Sequence, residues 1–218
     1  MGVIRILSVV AVLVIVTSAA AFGDGADLNP FLQQSLAQIS DKDRSDRAQV
    51  DTLNKQGMEF SSNGQYERVM GVAEKELEIA KKSDYPGTVG SVGANLSNLA
   101  AYYYRQAQYS QAEPLFKMAL NLYEDKLGPG NPAVAVVLNN LGSVHERQDH
   151  LTQAEQFYKR AIEINEKALG KNHRNVAVGL KNLAGIYRLT HRDDDAAKLE
   201  QRAAEIESIN AAELEKFR

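Results

Sequence analysis

The chain repeats itself every 42 residues, and this limits its fold more than any bulk property does. Segments beginning at Asn98, Asn140 and Asn182 align without a gap: Leu99, Leu141 and Leu183 coincide, as do Ala100, Gly142 and Ala184, then Ala112, Ala154 and Ala196, then Ala119, Ala161 and Ala203. A fixed period of this length makes each copy one supersecondary unit that buries its apolar face only by stacking on its neighbours. A weaker copy, "KQGMEFSSNGQYERVMGVAEKELEIAKK", aligns upstream at an offset of 43 and sets Gly57 opposite Ala100, Phe60 opposite Tyr103, Tyr66 opposite Tyr109 and Val69 opposite Ala112. Terminal units of a stack are atypical because they cap it.

Inside each copy the apolar residues fall at helical spacing on both sides of a polar break, with Leu99, Tyr102 and Tyr103 before it and Ala112, Leu115, Phe116, Ala119, Leu120 and Tyr123 after it. Two helices per copy follow. Small residues at Ala100 or Gly142 and at Ala112 or Ala154 suit helices whose axes pass close together. The copies are joined by "LGPGNPAVA" at Leu127 to Ala135 and "LGKNHRNVA" at Leu169 to Ala177. In the first, Gly128 stands where glycine ends helices, and Pro132 can occupy the first turn of the next one. Arg174 takes the Pro position in the second. "GPGNP" lacks the Lys-Ser/Thr of a phosphate loop and links helix to helix, so it is read as a joint and not as a nucleotide cradle.

The pattern of Leu141, Gly142, Ala154, Tyr158 and Ala161, with Tyr103 and Tyr187 at the aromatic position that His145 takes in the middle copy, resembles the tetratricopeptide repeat. The usual unit of that family has about 34 residues; eight more are close to two turns at roughly 3.6 residues per turn, which leaves the packing face nearly in phase. "LNNLG" at Leu138 to Gly142 and the two joints narrow the resemblance to the longer variety found in kinesin light chains. It implies an all-α, right-handed superhelix of four helical pairs over residues 50–207, divided at 50–91, 92–133, 134–175 and 176–207. Residues 208–218 are expected to extend the last helix. Residues 22–49 are expected to form a linker containing a short helix, with Asn29 as N-cap and Pro30 at its first position.

The first residues read differently. Arg5 precedes an apolar run from Ile6 to Val16, followed by "TSAAAFG". This is the pattern of a secretory signal peptide over residues 1–21, with cleavage expected after Ala21 and a periplasmic or secreted mature chain. An uncleaved anchor over residues 6–22 is the alternative, although the run is shorter than the ~18 to 20 apolar residues that span a bilayer. The chain has no Cys, so neither disulfides nor thiolate chemistry enter. Its 25 basic and 28 acidic residues are mixed along the sequence, without the basic block that nucleic acid requires.

Candidate reaction chemistry fails on spacing. His145 and Asp149 share a helix face, but no HExxH is present and His145 takes a packing position. Asp193, Asp194 and Asp195 begin the second helix of the last copy, where acids complement the helix N-terminus. Asn95 satisfies the Asn-x-Ser glycosylation rule but lies within a helix. No cofactor, metal or enzymatic activity is expected. The resemblance instead implies a binding groove along the first helices, into which the residue before the consensus Leu points: Asn98, Asn140 and Asn182. Asn is a mediocre helix former, and its amide both donates and accepts, as the backbone of an extended peptide requires. By helical phase Tyr104, Arg105, Ser143, Arg147, Lys181 and Arg188 share that face; four of these six are cationic, so an acidic or carboxylate-terminated peptide is the expected complement. The chain is therefore read as a non-enzymatic peptide- or protein-binding scaffold. The alternative is a structural assembly or oligomerisation subunit of a membrane-associated complex that uses its ends or its convex face.

Overall fold

Helical hairpins stacked in sequence order build the whole of the described chain. The computed structural model describes residues 30–83 and 86–215, and among them there are eight helices and no strand. They are α1 (Pro30–Ser62), α2 (Tyr66–Lys82), α3 (Pro86–Arg105), α4 (Tyr109–Leu127), α5 (Pro132–Arg147), α6 (Leu151–Leu169), α7 (Arg174–Leu189) and α8 (Asp193–Glu215). Each odd-numbered helix pairs with the even-numbered one that follows, and each pair packs on the next. The expected leader over residues 1–21, its cleavage site and the Asn29 cap lie outside the described residues.

Before residue 50 the structure corrects the sequence reading. In place of a short helix and a charged linker, α1 runs unbroken through "SDKDRSDRAQ" to Ser62. The charges there are a helix surface: Arg44 pairs with Asp41 at 3.6 Å and Arg47 with Asp43 at 3.0 Å, at the i,i+3 and i,i+4 spacings that support a helix. No Gly or Pro falls between Phe31 and Gln56 to stop it. At the other end α8 passes residue 207 without a break and buries Ala203 and Ile206.

The packing follows the small positions. A Cβ added to Gly142 would stand 2.5 Å from Tyr158 Cε1, so only glycine lets α5 approach α6 over that ring. One period earlier the same two positions are Ala100 and the smaller Phe116, both buried in one core cluster. Tyr158 uses its extra hydroxyl to donate to Glu146 Oε2 at 2.8 Å and to bond Ser143 Oγ at 3.0 Å.

The turns are periodic as well. The turn inside each hairpin holds one left-handed residue at the same place: Gly64, Ala107, Asp149 and His191, with φ of 69°, 57°, 61° and 57°. Between hairpins, Gly128 at φ 87°, ψ 152° and Gly170 at φ 93°, ψ 155° occupy a region that is essentially glycine's alone. The next helix is then capped by a side chain: Asn131 Oδ1 accepts from the Ala133 N–H at 2.9 Å, and His173 Nδ1 accepts from the Asn175 N–H at 3.2 Å. The joint is thus built of one obligatory glycine and one cap, with Pro132 following the cap in the first case.

Candidate functional site

Two pockets open between successive first helices, and they are copies of each other. The larger, ≈350 Å³, lies between α3 and α5 and is lined by Ala94, Ser97 and Asn98 of the former, Ala133, Val136 and Asn140 of the latter, and Tyr123 of α4. The smaller, ≈180 Å³, lies between α5 and α7 and is lined by Val136, Asn139, Asn140, Asn165, Asn175 and Val178. Each of these six stands 42 residues beyond a residue lining the larger pocket. The repeat that makes the fold therefore also makes a row of equivalent cavities, with Val136 and Asn140 shared between neighbours.

The expected groove residues divide between this row and other duties. Asn98, exposed, and Asn140, half-buried, face the same pocket, and Asn140 also faces the next. Asn182 is half-buried on α7, one period further on. Ser143 is engaged by the Asn139 carbonyl and by Tyr158. Arg147 Nε donates to the Tyr109 hydroxyl at 3.0 Å, and the Tyr109 ring lies 5.6 Å from that of Tyr104. Burial raises the Tyr104 hydroxyl above its ordinary pKa against the opposing pull of Arg147. Arg105 is exposed.

Lys181 and Arg188 are not free charges. Lys181 Nζ bonds Glu207 Oε1 at 2.6 Å, and Arg188 bonds Glu200 through Nε at 3.0 Å and Nη2 at 2.7 Å, with Asp193 at 3.2 Å. All three acids belong to α8. The cationic run that helical phase predicts along the face is matched by carboxylates over its last third.

The residues that sequence reasoning passed over are Tyr123, Val136, Asn139, Asn165, Asn175 and Val178. Val136 and Val178 are 48% and 50% exposed, unusual for Val in a regular helix of a packed hairpin. The available signal was the phase: Val136 and Val178 are one period apart, and Asn139 stands beside Asn140 in "LNNLG".

The remaining candidates resolve into packing. His145 is buried, with its ring 5.2 Å from that of Phe157 and Nε2 3.6 Å from Glu113 Oε1; burial lowers its pKa. Asp193, Asp194 and Asp195 sit in the first turn of α8, and no cluster able to hold a metal occurs among the described residues. Asn95 is buried and its Nδ2, the atom a glycan would need, donates to Glu76 at 3.2 Å. Two more clefts, ≈360 and ≈480 Å³, lie against α1 and α2 among long charged side chains such as Lys42, Lys75, Glu78 and Arg68. Neither belongs to the periodic row.

A stack of helical hairpins with a row of pockets along its first helices defines a solenoid of the interaction-scaffold class. The chain belongs to the tetratricopeptide-repeat family, whose model matches residues 91–167 and 151–206. Among solved structures it is similar to BtubC (BKLC) from P. vanneervenii, at 21% identity and a TM-score of 0.57 over 78% of this chain and 72% of that one. It is also similar to a Podosopora anserina kinesin-light-chain protein with nearly identical TPR-like repeats, at 16% identity and a TM-score of 0.55 over 93% and 86%. A MamA double mutant from RS-1 follows at 14% identity and a TM-score of 0.51 over 83% and 87%. At these identities the likeness establishes the fold. No curated protein sequence matches the chain.

Proposed function

We propose that this chain, a protein-interaction scaffold in kind by its tetratricopeptide-repeat fold, acts without chemistry of its own, by holding an extended peptide segment of a partner along the face formed by α3, α5 and α7, in an exported compartment. The observation that carries the binding reading is the recurrence of one pocket at the 42-residue period, with Asn98 and Asn140 set at its wall and Asn140 facing two pockets at once. A periodic row suits a ligand that is itself periodic, and an extended chain is the simplest such ligand. The Asn amides can follow its backbone, donating and accepting in turn. An acidic or carboxylate-bearing segment is the proposed complement beside Arg105 and Arg147, which make no ion pair among the described residues, unlike Lys181 and Arg188, although the Glu146 carboxylate acts on Arg147. Export rests on the sequence pattern of residues 1–21.

The test is affinity capture from the exported compartment with mass-spectrometric identification, repeated with Asn140→Ala combined with Arg147→Ala. The double variant is expected to lose the captured partner at least tenfold while a chain truncated before residue 208 retains it. The reverse result would assign binding to the end of the molecule and remove the groove reading. Sequencing the N-terminus of the mature protein tests export: a chain starting near Phe22 supports it, and one retaining residues 1–21 returns the anchor.

A further inference from the structure

The two equivalent pockets differ most at their floors. In the larger, Tyr123 projects from α4 and fills the space beside Gly93, where an added Cβ would come within 2.2 Å of its ring, and its hydroxyl donates to the Gly90 carbonyl at 3.3 Å. One period on, Ala135 stands in place of Gly93 and Asn165 in place of Tyr123. The methyl of Ala135 leaves no room for a tyrosine, and the shorter Asn165 takes its place. Asn165 is 1% exposed, and neither its Nδ2 nor its Oδ1 has a hydrogen-bond partner. Asn139 Oδ1, lining the same pocket, is unpartnered too.

Three buried polar atoms without partners around one cavity are costly, because each has given up its hydrogen bonds to water without gaining others. Native structures pair nearly all such groups, with protein, ordered water or a ligand. The set comprises two acceptors, Asn165 Oδ1 and Asn139 Oδ1, and one doubly protonated donor nitrogen, Asn165 Nδ2. A carboxylate would meet two acceptors with none of its own donors, and no cation lines the pocket to receive it. An ammonium or guanidinium only donates and would leave Nδ2 unmet, with no carboxylate beside it. A primary carboxamide matches the set, its NH₂ donating to both oxygens and its carbonyl accepting from Nδ2. The cavity of ≈180 Å³ is below the size usual for cofactor or drug-like ligands and suits a single side chain. The half-exposed Val136 and Val178 flank its approach and suit a ligand's aliphatic stem. The torsion that swings the Asn165 amide is a soft one, so the group can turn to meet its ligand.

We propose that the pocket floored by Asn165 is a specificity subsite for a glutamine or asparagine side chain of the bound peptide. The proposal rests on the groove reading and deepens it: the first pocket, floored by Tyr123, accepts an apolar side chain, and the second reads a carboxamide. Helices in direct contact lie about 8 to 10 Å apart, these first helices stand at least that far from one another, and an extended chain advances about 3.3 Å per residue, so the two side chains are at least about three residues apart in the ligand.

The test is an array of immobilised extended nonapeptides probed with the full chain, carrying Gln, Asn, Glu, Lys or Leu at the centre and Leu three positions to either side. Gln or Asn peptides are expected to bind at least tenfold better than their Glu, Lys and Leu counterparts. Asn165→Leu, close in shape and without polar atoms, is expected to abolish that preference while leaving thermal stability unchanged or raised. A purely structural Asn165 gives the opposite sign, a lowered melting temperature, and that result overturns the proposal. So does equal binding of the Leu and Gln peptides. If Asn140→Ala with Arg147→Ala abolishes peptide binding while Asn165→Leu leaves the Gln preference intact, the subsite falls and the groove stands; if no variant alters binding, both fall.

Discussion

The junction between the first two hairpins and the junctions that follow share a backbone plan but are held together differently. At the first, Glu76 of α2 and Asn95 of α3 meet inside the stack, fully and nearly fully buried, with Asn95 Nδ2 donating to Glu76 Oε1 and Glu76 Oε2 left without a partner. One period on, the same two positions are Ala119 and Val137, both buried; two periods on they are Ala161 and Gly179. Later junctions are thus sealed by small apolar residues, and the first is sealed by a polar pair that water has left. Burial pushes the Glu76 carboxyl up to about 7, with the Asn95 hydrogen bond pulling weakly the other way. A buried acid kept near neutrality makes the cohesion of the first junction depend on pH below about 7; the junction of the third and fourth hairpins instead carries Glu155, which the hydrogen bond from Arg192 holds down to about 2, so it loses its charge only in strong acid.

The sharpest way to break this contrast is to titrate it. Because the folded chain binds its Glu76 proton up to about pH 7 while the unfolded chain releases it near 4.5, the folded state holds more protons across that window. Stability therefore falls as pH rises through it and levels off above, by an amount on the order of 3 kcal/mol. Glu76→Gln keeps the hydrogen bond and removes the charge. Its denaturant midpoint is expected to exceed that of the unaltered chain at pH 8 and to lose the fall between about 4.5 and about 7, leaving any rise with pH that His145, lowered by burial, contributes. A fall with rising pH that survives in the variant would show that the junction is not the source.

The next largest effect tests the apolar side of the contrast. Gly142→Ala pushes a methyl into the Tyr158 ring, which is fixed by bonds to Ser143 and Glu146. A loss of roughly 1 to 3 kcal/mol is expected, as for overpacking generally, measured by chemical denaturation. Asn131→Ala removes the cap that begins α5 and is expected to cost about 1 kcal/mol. The smallest effect exchanges a solution between the units. The first hairpin places Gly64 at its left-handed turn residue where the second has Ala107. Ala107→Gly is expected to stabilise by a few tenths to about 1 kcal/mol, since a left-handed alanine costs more than glycine's extra freedom. A loss in that variant would mean that the Ala107 methyl has a packing role.

The period, the hairpin per period and the close approach at Gly142 were all readable because they are local: a repeat shows itself in one dimension. The groove was half readable, since Asn98 and Asn140 share a helix phase with their neighbours. Asn165 was not, because it lies on a second helix and reaches the pocket only after two hairpins have stacked. The charges misled for the same reason. Lys181 and Arg188 look free in sequence, and the acids that answer them, Glu200 and Glu207, come from the following helix. "SDKDRSDRAQ" reads as a linker by composition, yet the i,i+3 and i,i+4 pairs of Asp41, Asp43, Arg44 and Arg47 make it helical surface.

Because each cavity takes its walls from consecutive first helices and its floor from one residue of the helix behind them, what a cavity accepts can change without disturbing how the units stack. The exchange of Gly93 and Tyr123 for Ala135 and Asn165 is one such change already made within this chain. Duplicating or deleting a whole unit would add or remove one cavity; on the proposed groove reading this would alter the length of partner held, and a point change at a floor would alter one side chain of it. The proposed recognition would then be modular in the same unit as the architecture.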